Sequence, residues 1–77
     1  MLKQAIFDAI KTQGVVANGK WTHQAIMNFY SDLNPIQKEE FDEVIKSLCE
    51  EGILEYHKVG IEIYFLLTSK GVKVIYN

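Results

Sequence analysis

The residues of this sequence that could do chemistry are His23, His57, Cys49 and the adjacent acidic pairs Asp42-Glu43 and Glu50-Glu51. Catalysis would need a nucleophile beside a base, two carboxylates facing across a cleft, or metal ligands at a usable spacing. The spacing supplies none of these. His23 and His57 stand far apart and belong to no ligand motif such as Cys-x-x-Cys. Cys49 is the single cysteine, so it has no partner within the chain, and no His or cluster of cations adjoins it. It reads as a core thiol and not as a reactive one. The acidic pairs fall on a helical pattern as solvated charges. The five glycines are scattered at turns and form no phosphate loop. No catalytic residue, metal or cofactor is expected, and the chain is not read as an enzyme.

The elements that would carry these residues are legible. Phe41, Val44, Ile45 and Leu48 recur at i, i+3, i+4 and i+7, and Cys49 adds i+8, which makes one apolar stripe on a helix from Pro35 to Glu51. Asn34 is its N-cap, Pro35 sits where a missing N–H costs nothing, and Gly52 follows as the stop. Leu2, Ala5, Ile6, Ala9 and Ile10 repeat the pattern over residues 2 to 13, with Gly14 as terminator. Phe7 falls beside that stripe, as a flank of the core or an exposed contact. Val15 to Lys20 is a connector with an Asn18-Gly19 turn, and Val15 and Val16 are the candidates for a very short strand. Thr22 caps a second helix running to about Asp32, with Ala25, Ile26, Phe29, Tyr30 and Leu33 on its buried side. Trp21 packs over its start, and for Trp21 and Tyr30 core packing outweighs base stacking.

After Gly52 the period changes from 3.6 to 2. Leu54 and Tyr56 alternate with Glu55 and His57, and Ile61, Ile63 and Phe65 alternate with Glu62 and Tyr64. The expected hairpin pairs Leu54 with Phe65, Tyr56 with Ile63 and His57 with Glu62, around a Val59-Gly60 turn. Valine dislikes the positive φ of such a turn, so a bulged loop is an alternative. The tail from Thr68 fits a short helix, with Val72, Ile75 and Tyr76 inward, or a strand.

Seventy-seven residues, 48% of them apolar, make one domain, 1–77. A chain this short buries about 60% of its unfolded surface, so the core is small. No apolar run approaches the roughly 20 residues of a membrane span, and no signal peptide is read. The expected compartment is the cytoplasm. The fold class is α+β: three helices, a β-hairpin and a short C-terminal segment.

The run Phe41-x-x-Val44-Ile45-x-x-Leu48-x-x-Glu51-Gly52-Ile53-Leu54, followed by Tyr64-x-x-Leu67-Thr68-x-Lys70-Gly71, resembles winged-helix transcription regulators of the MarR and PadR kinds. The resemblance implies that Leu48 to Ile53 ends a recognition helix. It also implies that Leu67 to Gly71 leaves the wing and enters a fourth helix capped by Thr68. Those regulators dimerise through long terminal helices to read paired half-sites, and no such helix is expected here.

Charge pulls against that implication. The net charge is −2 and every cation is a lysine, without the arginine best suited to phosphate and guanine. From Asn34 to Gly52 six acidic residues oppose two lysines, a net of −4, leaving +2 for the remainder. A recognition helix would present Ile36, Glu39, Glu40 and Glu43 to the groove, against the phosphates' field. Two functional classes follow. In a DNA-associated regulator the contacts would be His23, Gln24, Gln37 and Lys38 near the starts of helices two and three, with His57 and Lys58 on the wing. In a protein-interaction domain without DNA binding the surface would be Glu39, Glu43, Lys46 and Glu50, or the outer wing residues Ile53, Tyr64 and Leu66. The apolar outer wing predicts a homodimer, with the tail covering part of that surface and a second subunit the rest.

Overall fold

The helices begin and end where the sequence supplies caps. The computed structural model describes residues 2–76. Helix α1 spans Leu2–Thr12, α2 His23–Ser31, α3 Pro35–Glu50 and α4 Ser69–Tyr76. At the start of α3 the Asn34 side chain accepts from the Gln37 N–H at 2.8 Å, and the Gln37 side chain accepts from the Asn34 N–H at 3.1 Å. This capping box satisfies two otherwise orphaned donors. The Thr22 hydroxyl accepts from the Ala25 N–H at 3.3 Å and starts α2.

Helices α1 and α3 stop in the same way. The N–H of Gly14 reaches Lys11 O and that of Val15 reaches Ile10 O; the N–H of Gly52 reaches Cys49 O and that of Ile53 reaches Leu48 O. Both are Schellman closures, with the glycine at φ 70° and 78° respectively. The residue after each glycine is buried, Val15 beside Ile10 and Ile53 beside Leu48, so each stop also feeds the core. Phe7, left open by its spacing, is buried as well.

Strands β1 (Lys20–Trp21), β2 (Leu54–Val59) and β3 (Glu62–Leu67) form an antiparallel sheet in the order β1-β3-β2. The short strand lies at Lys20–Trp21, and not at Val15 and Val16. The Val15 N–H is already used to close α1, and only after the turn at Asn18 (φ 64°) does the chain run beside β3. There Asn18 N–H donates to Leu67 O at 2.7 Å, and Leu67 N–H donates to Gly19 O at 3.0 Å.

The hairpin register differs from expectation by two residues. Leu54 stands opposite Leu67, Tyr56 opposite Phe65 and His57 opposite Tyr64, around a Gly60-Ile61 loop. Gly60 takes a φ of 63° at the first loop position, as a type II′ turn requires. Reading glycine as the second loop residue slides the pairing by two. Because two is the side-chain period of a strand, the faces are unchanged: Leu54, Phe65 and Leu67 point into the core. Ile61 sits in the loop, almost fully exposed.

The tail is helical. The Thr68 hydroxyl accepts from the Gly71 N–H at 2.9 Å and donates to Gly52 O at 2.6 Å, tying the start of α4 to the stop of α3. At Gly71 α4 approaches Ile53 so closely that a Cβ would lie 2.4 Å from the Ile53 carbonyl oxygen. Ile75 is buried, and the Tyr76 hydroxyl donates to Val15 O at 2.7 Å. The core between helices and sheet holds Trp21, Phe65, Ile6, Ile10, Ile26, Leu48 and Leu67 without exposure. The indole N–H of Trp21 is buried with no acceptor among the described residues, a local cost set against burial of the whole ring. Among the described residues no helix is long and apolar enough to cross a membrane, and no three His, Cys, Asp or Glu side chains are grouped to hold a metal ion.

Candidate nucleic-acid and protein interfaces

Three residues read as DNA contacts are engaged within the fold. Gln37 is consumed by the capping box of α3. His23 opens α2, and its Nδ1 accepts from the Ile63 N–H of β3 at 3.2 Å. A backbone amide can only donate, so Nδ1 is the bare nitrogen and Nε2 carries the proton. His57 lies 2.6 Å from Glu55 and stacks on Tyr64, with ring centroids 5.2 Å apart and planes within 7°. Gln24 bonds only its helix neighbour Asn28, and Lys38 lies over the Tyr30 ring at 5.6 Å. Lys58 is exposed.

One cation not singled out by its spacing joins this group. Lys20 of β1 places its ammonium 4.7 Å from the centre of the Tyr64 ring. Tyr64, on the central strand, thus has Lys20 from one neighbouring strand and His57 from the other. The row Lys20, Tyr64, His57, Glu55 crosses the outer face of the sheet. The signal in the sequence is slight: Lys20 precedes a core tryptophan, and a strand places successive side chains on opposite faces. Beside this row Lys20, Thr22, His23, Val59, Glu62, Ile63 and Tyr64 line an open recess of about 300 Å³.

The outer face of the hairpin lacks one of the apolar residues expected on it. Ile53 does not belong to it: that side chain is 2% exposed, under α4 at Gly71. Its position just past the Schellman glycine turns it inward, so it is not available to a partner. Tyr64 and Leu66 are half-buried, and Lys20 covers one face of Tyr64. Val59 and Ile61 at the tip of the hairpin are exposed, so an apolar surface persists there.

The outward side of α3 is different. Glu39, Glu43, Lys46 and Glu50 are exposed, with Asp42 and Ser47 flanking them. Among the described residues the ion pairs are Lys3–Glu51 at 3.5 Å and His57–Glu55, so none of these four charges is paired. The helix brings together what its period predicts, a single acidic face.

Cys49 is half-buried, and burial raises its thiol above the ordinary value, which suppresses the thiolate. Comparison with protein-family models, with curated proteins and with solved structures finds no match for this chain.

Proposed function

We propose that this chain is a winged-helix domain, regulatory in role, that associates with duplex DNA through its wing and not through the outer side of α3. The observation that carries the reading is the order of elements. Three helices precede a hairpin, and a two-residue strand between the first two helices pairs with the far strand of that hairpin. The resemblance of the Phe41 to Gly71 motifs to MarR and PadR regulators supports the same reading. The charges favour the wing over the helix. Five carboxylates on α3, Glu39, Glu40, Asp42, Glu43 and Glu50, have no ion-pair partner among the described residues and would oppose the phosphates. Lys20 on the outer face of the hairpin, Lys58 on its inner face and Lys38 at the start of α3 are the cations on this side that can neutralise phosphate.

Few cations imply weak binding. Non-specific affinity is expected near 10⁻⁴ M, at about the weak end of the usual range, with a shallow salt dependence. The test is fluorescence anisotropy with a random duplex at several salt concentrations. Lys58→Ala should weaken binding, and the double variant Glu39→Lys, Glu43→Lys should change it little. Marked tightening by the double variant would place α3 at the groove and overturn the wing-first mode.

A second reading rests on the same unpaired carboxylates: a protein partner with a basic surface docks on α3. In that case the double variant abolishes partner binding and Lys58→Ala leaves it intact.

A further inference from the structure

Lys20 and Glu62 line the same recess and do not pair. The recess, about 300 Å³, lies between the start of α2 and the outer face of the hairpin, and Thr22, His23, Val59, Ile63 and Tyr64 complete its lining. Lys20 stands opposite Leu66, and its ammonium reaches over the Tyr64 ring, toward the position of Glu62 on the same face. The ion pairs among the described residues are Lys3–Glu51 and His57–Glu55, so neither charge of the recess is met by an opposite one. His23 adds a donor. Its Nδ1 is taken by the Ile63 N–H, so Nε2 carries a proton that no described residue accepts. Val59 is exposed and Ile63 half-buried, and they form the apolar side of the recess.

We propose that this recess binds a free α-amino acid with an aliphatic side chain. Its carboxylate lies on Lys20, its ammonium on Glu62 and its side chain against Val59 and Ile63. The two unpaired charges select a ligand that carries both signs. A plain anion meets the Glu62 carboxylate, and a plain cation meets the Lys20 ammonium. An aromatic ligand that stacked on Tyr64 would have to displace Lys20 or His57 from that ring. The positions of Tyr64 and Glu62 are roughly 7 Å apart along the strand, a gap that one small zwitterion spans with a charge-assisted bond of about 2.8 Å at each end. The Nε2–H of His23 is a second donor available to the carboxylate. Size agrees, because the recess stands at the lower end of the range for small-molecule sites, about 300–1,000 Å³. It is open, so much of the ligand stays in water and the affinity is millimolar. The site rests on no reading of DNA or of a protein partner. Lys20 is the one group it shares with the DNA mode, and no DNA is present in the experiment that tests it.

The test is a titration of the full chain with leucine, read on the Ile63 amide and the Tyr64 ring resonances. Saturable shifts with a millimolar dissociation constant are expected. N-acetylleucine lacks the ammonium and leucinamide lacks the carboxylate, so each should bind about tenfold more weakly. Glycine lacks the side chain and should also bind more weakly. Glu62→Gln and Lys20→Met should each weaken leucine by about tenfold, whereas Lys73→Met on the exposed side of α4 should leave it unchanged. The absence of any saturable shift with leucine overturns the proposal. So does N-acetylleucine, leucinamide or glycine binding as tightly as leucine, and so do equal losses from Lys20→Met and Lys73→Met.

Discussion

The outward face of α3 and the outer face of the sheet both carry charged side chains and use them in opposite ways. On α3, Glu39, Asp42, Glu43 and Glu50 have no ion-pair partner among the described residues. On the sheet, Lys20 covers Tyr64, His57 stacks on Tyr64, and Glu55 pairs with His57. The difference is one of sign. Neighbours four apart on a helix are as close as cross-strand neighbours, about 5 Å. On α3, however, Glu39 and Glu43 are like-charged and cannot lean on one another, whereas on the sheet a cation, a ring, an imidazole and a carboxylate can. The α3 face therefore offers unpaired charge to a partner, and the sheet face arrives already organised.

The comparison breaks altogether if the shared core is removed. Phe41 lies under α3 and touches the rings of Phe29 and Tyr30, with centroids 6.1 and 5.3 Å away. Phe41→Ala should cost about 3–5 kcal/mol, a large part of the stability of so small a domain. A barely shifted, cooperative melt would contradict the placement of this ring.

Gly71→Ala tests the sheet side alone. Its Cβ would meet the Ile53 carbonyl oxygen at 2.4 Å and Leu67 Cδ1 at 2.7 Å, and the carbonyl cannot swing aside. A loss of about 1–3 kcal/mol is expected in denaturant melts, with α4 displaced from the hairpin base. Asn34→Ala tests the helix side by opening the capping box of α3. It should cost about 1 kcal/mol.

The sharpest form of the comparison is a pair of milder changes. Lys20→Ala should cost about 0.5–1 kcal/mol and shift the ring resonances of Tyr64, because that ammonium is engaged. Glu43→Gln on α3 should be neutral or stabilising by about 0.2–0.5 kcal/mol, since it relieves the like charge of Glu39 one turn away. Equal losses from the two would erase the distinction between the faces. The smallest effect concerns Cys49. Burial favours its neutral thiol, so alkylation at neutral pH should be slower than for a free cysteine, rising only as pH climbs past the ordinary thiol range.

Local rules made α3 legible end to end, because its cap, its proline, its stripe and its terminating glycine all lie within one stretch of sequence. The hairpin faces were legible for the same reason, since alternation survives a shift of two. Its register was not. That depends on which loop position Gly60 occupies, a choice settled by backbone φ and not by side-chain pattern. Strand β1 has only two residues, too few to show a period, and it exists because β3 offers an edge to it. The engaged states of His23 and Tyr64 were hidden by distance in the chain: each depends on a partner from another element. Ile53 was misread because one residue past a Schellman closure turns inward, whatever the alternation that follows.

The bond from Ile63 N–H to His23 has a mechanical consequence. Down the edge of β3 the chain supplies Gly19, then Trp21, then the imidazole of His23, so the first residue of a helix stands in for the next residue of a strand. The hairpin is bolted to the α2 start, and it cannot pivot at its base without drawing this bolt. The imidazole holds it through the lone pair on Nδ1, so His23→Phe, which keeps a ring and removes that acceptor, should convert a stiff lever into a loose one. Faster exchange of the Ile63 amide in the variant should report the change, and an unchanged rate would show that the bolt carries no strain.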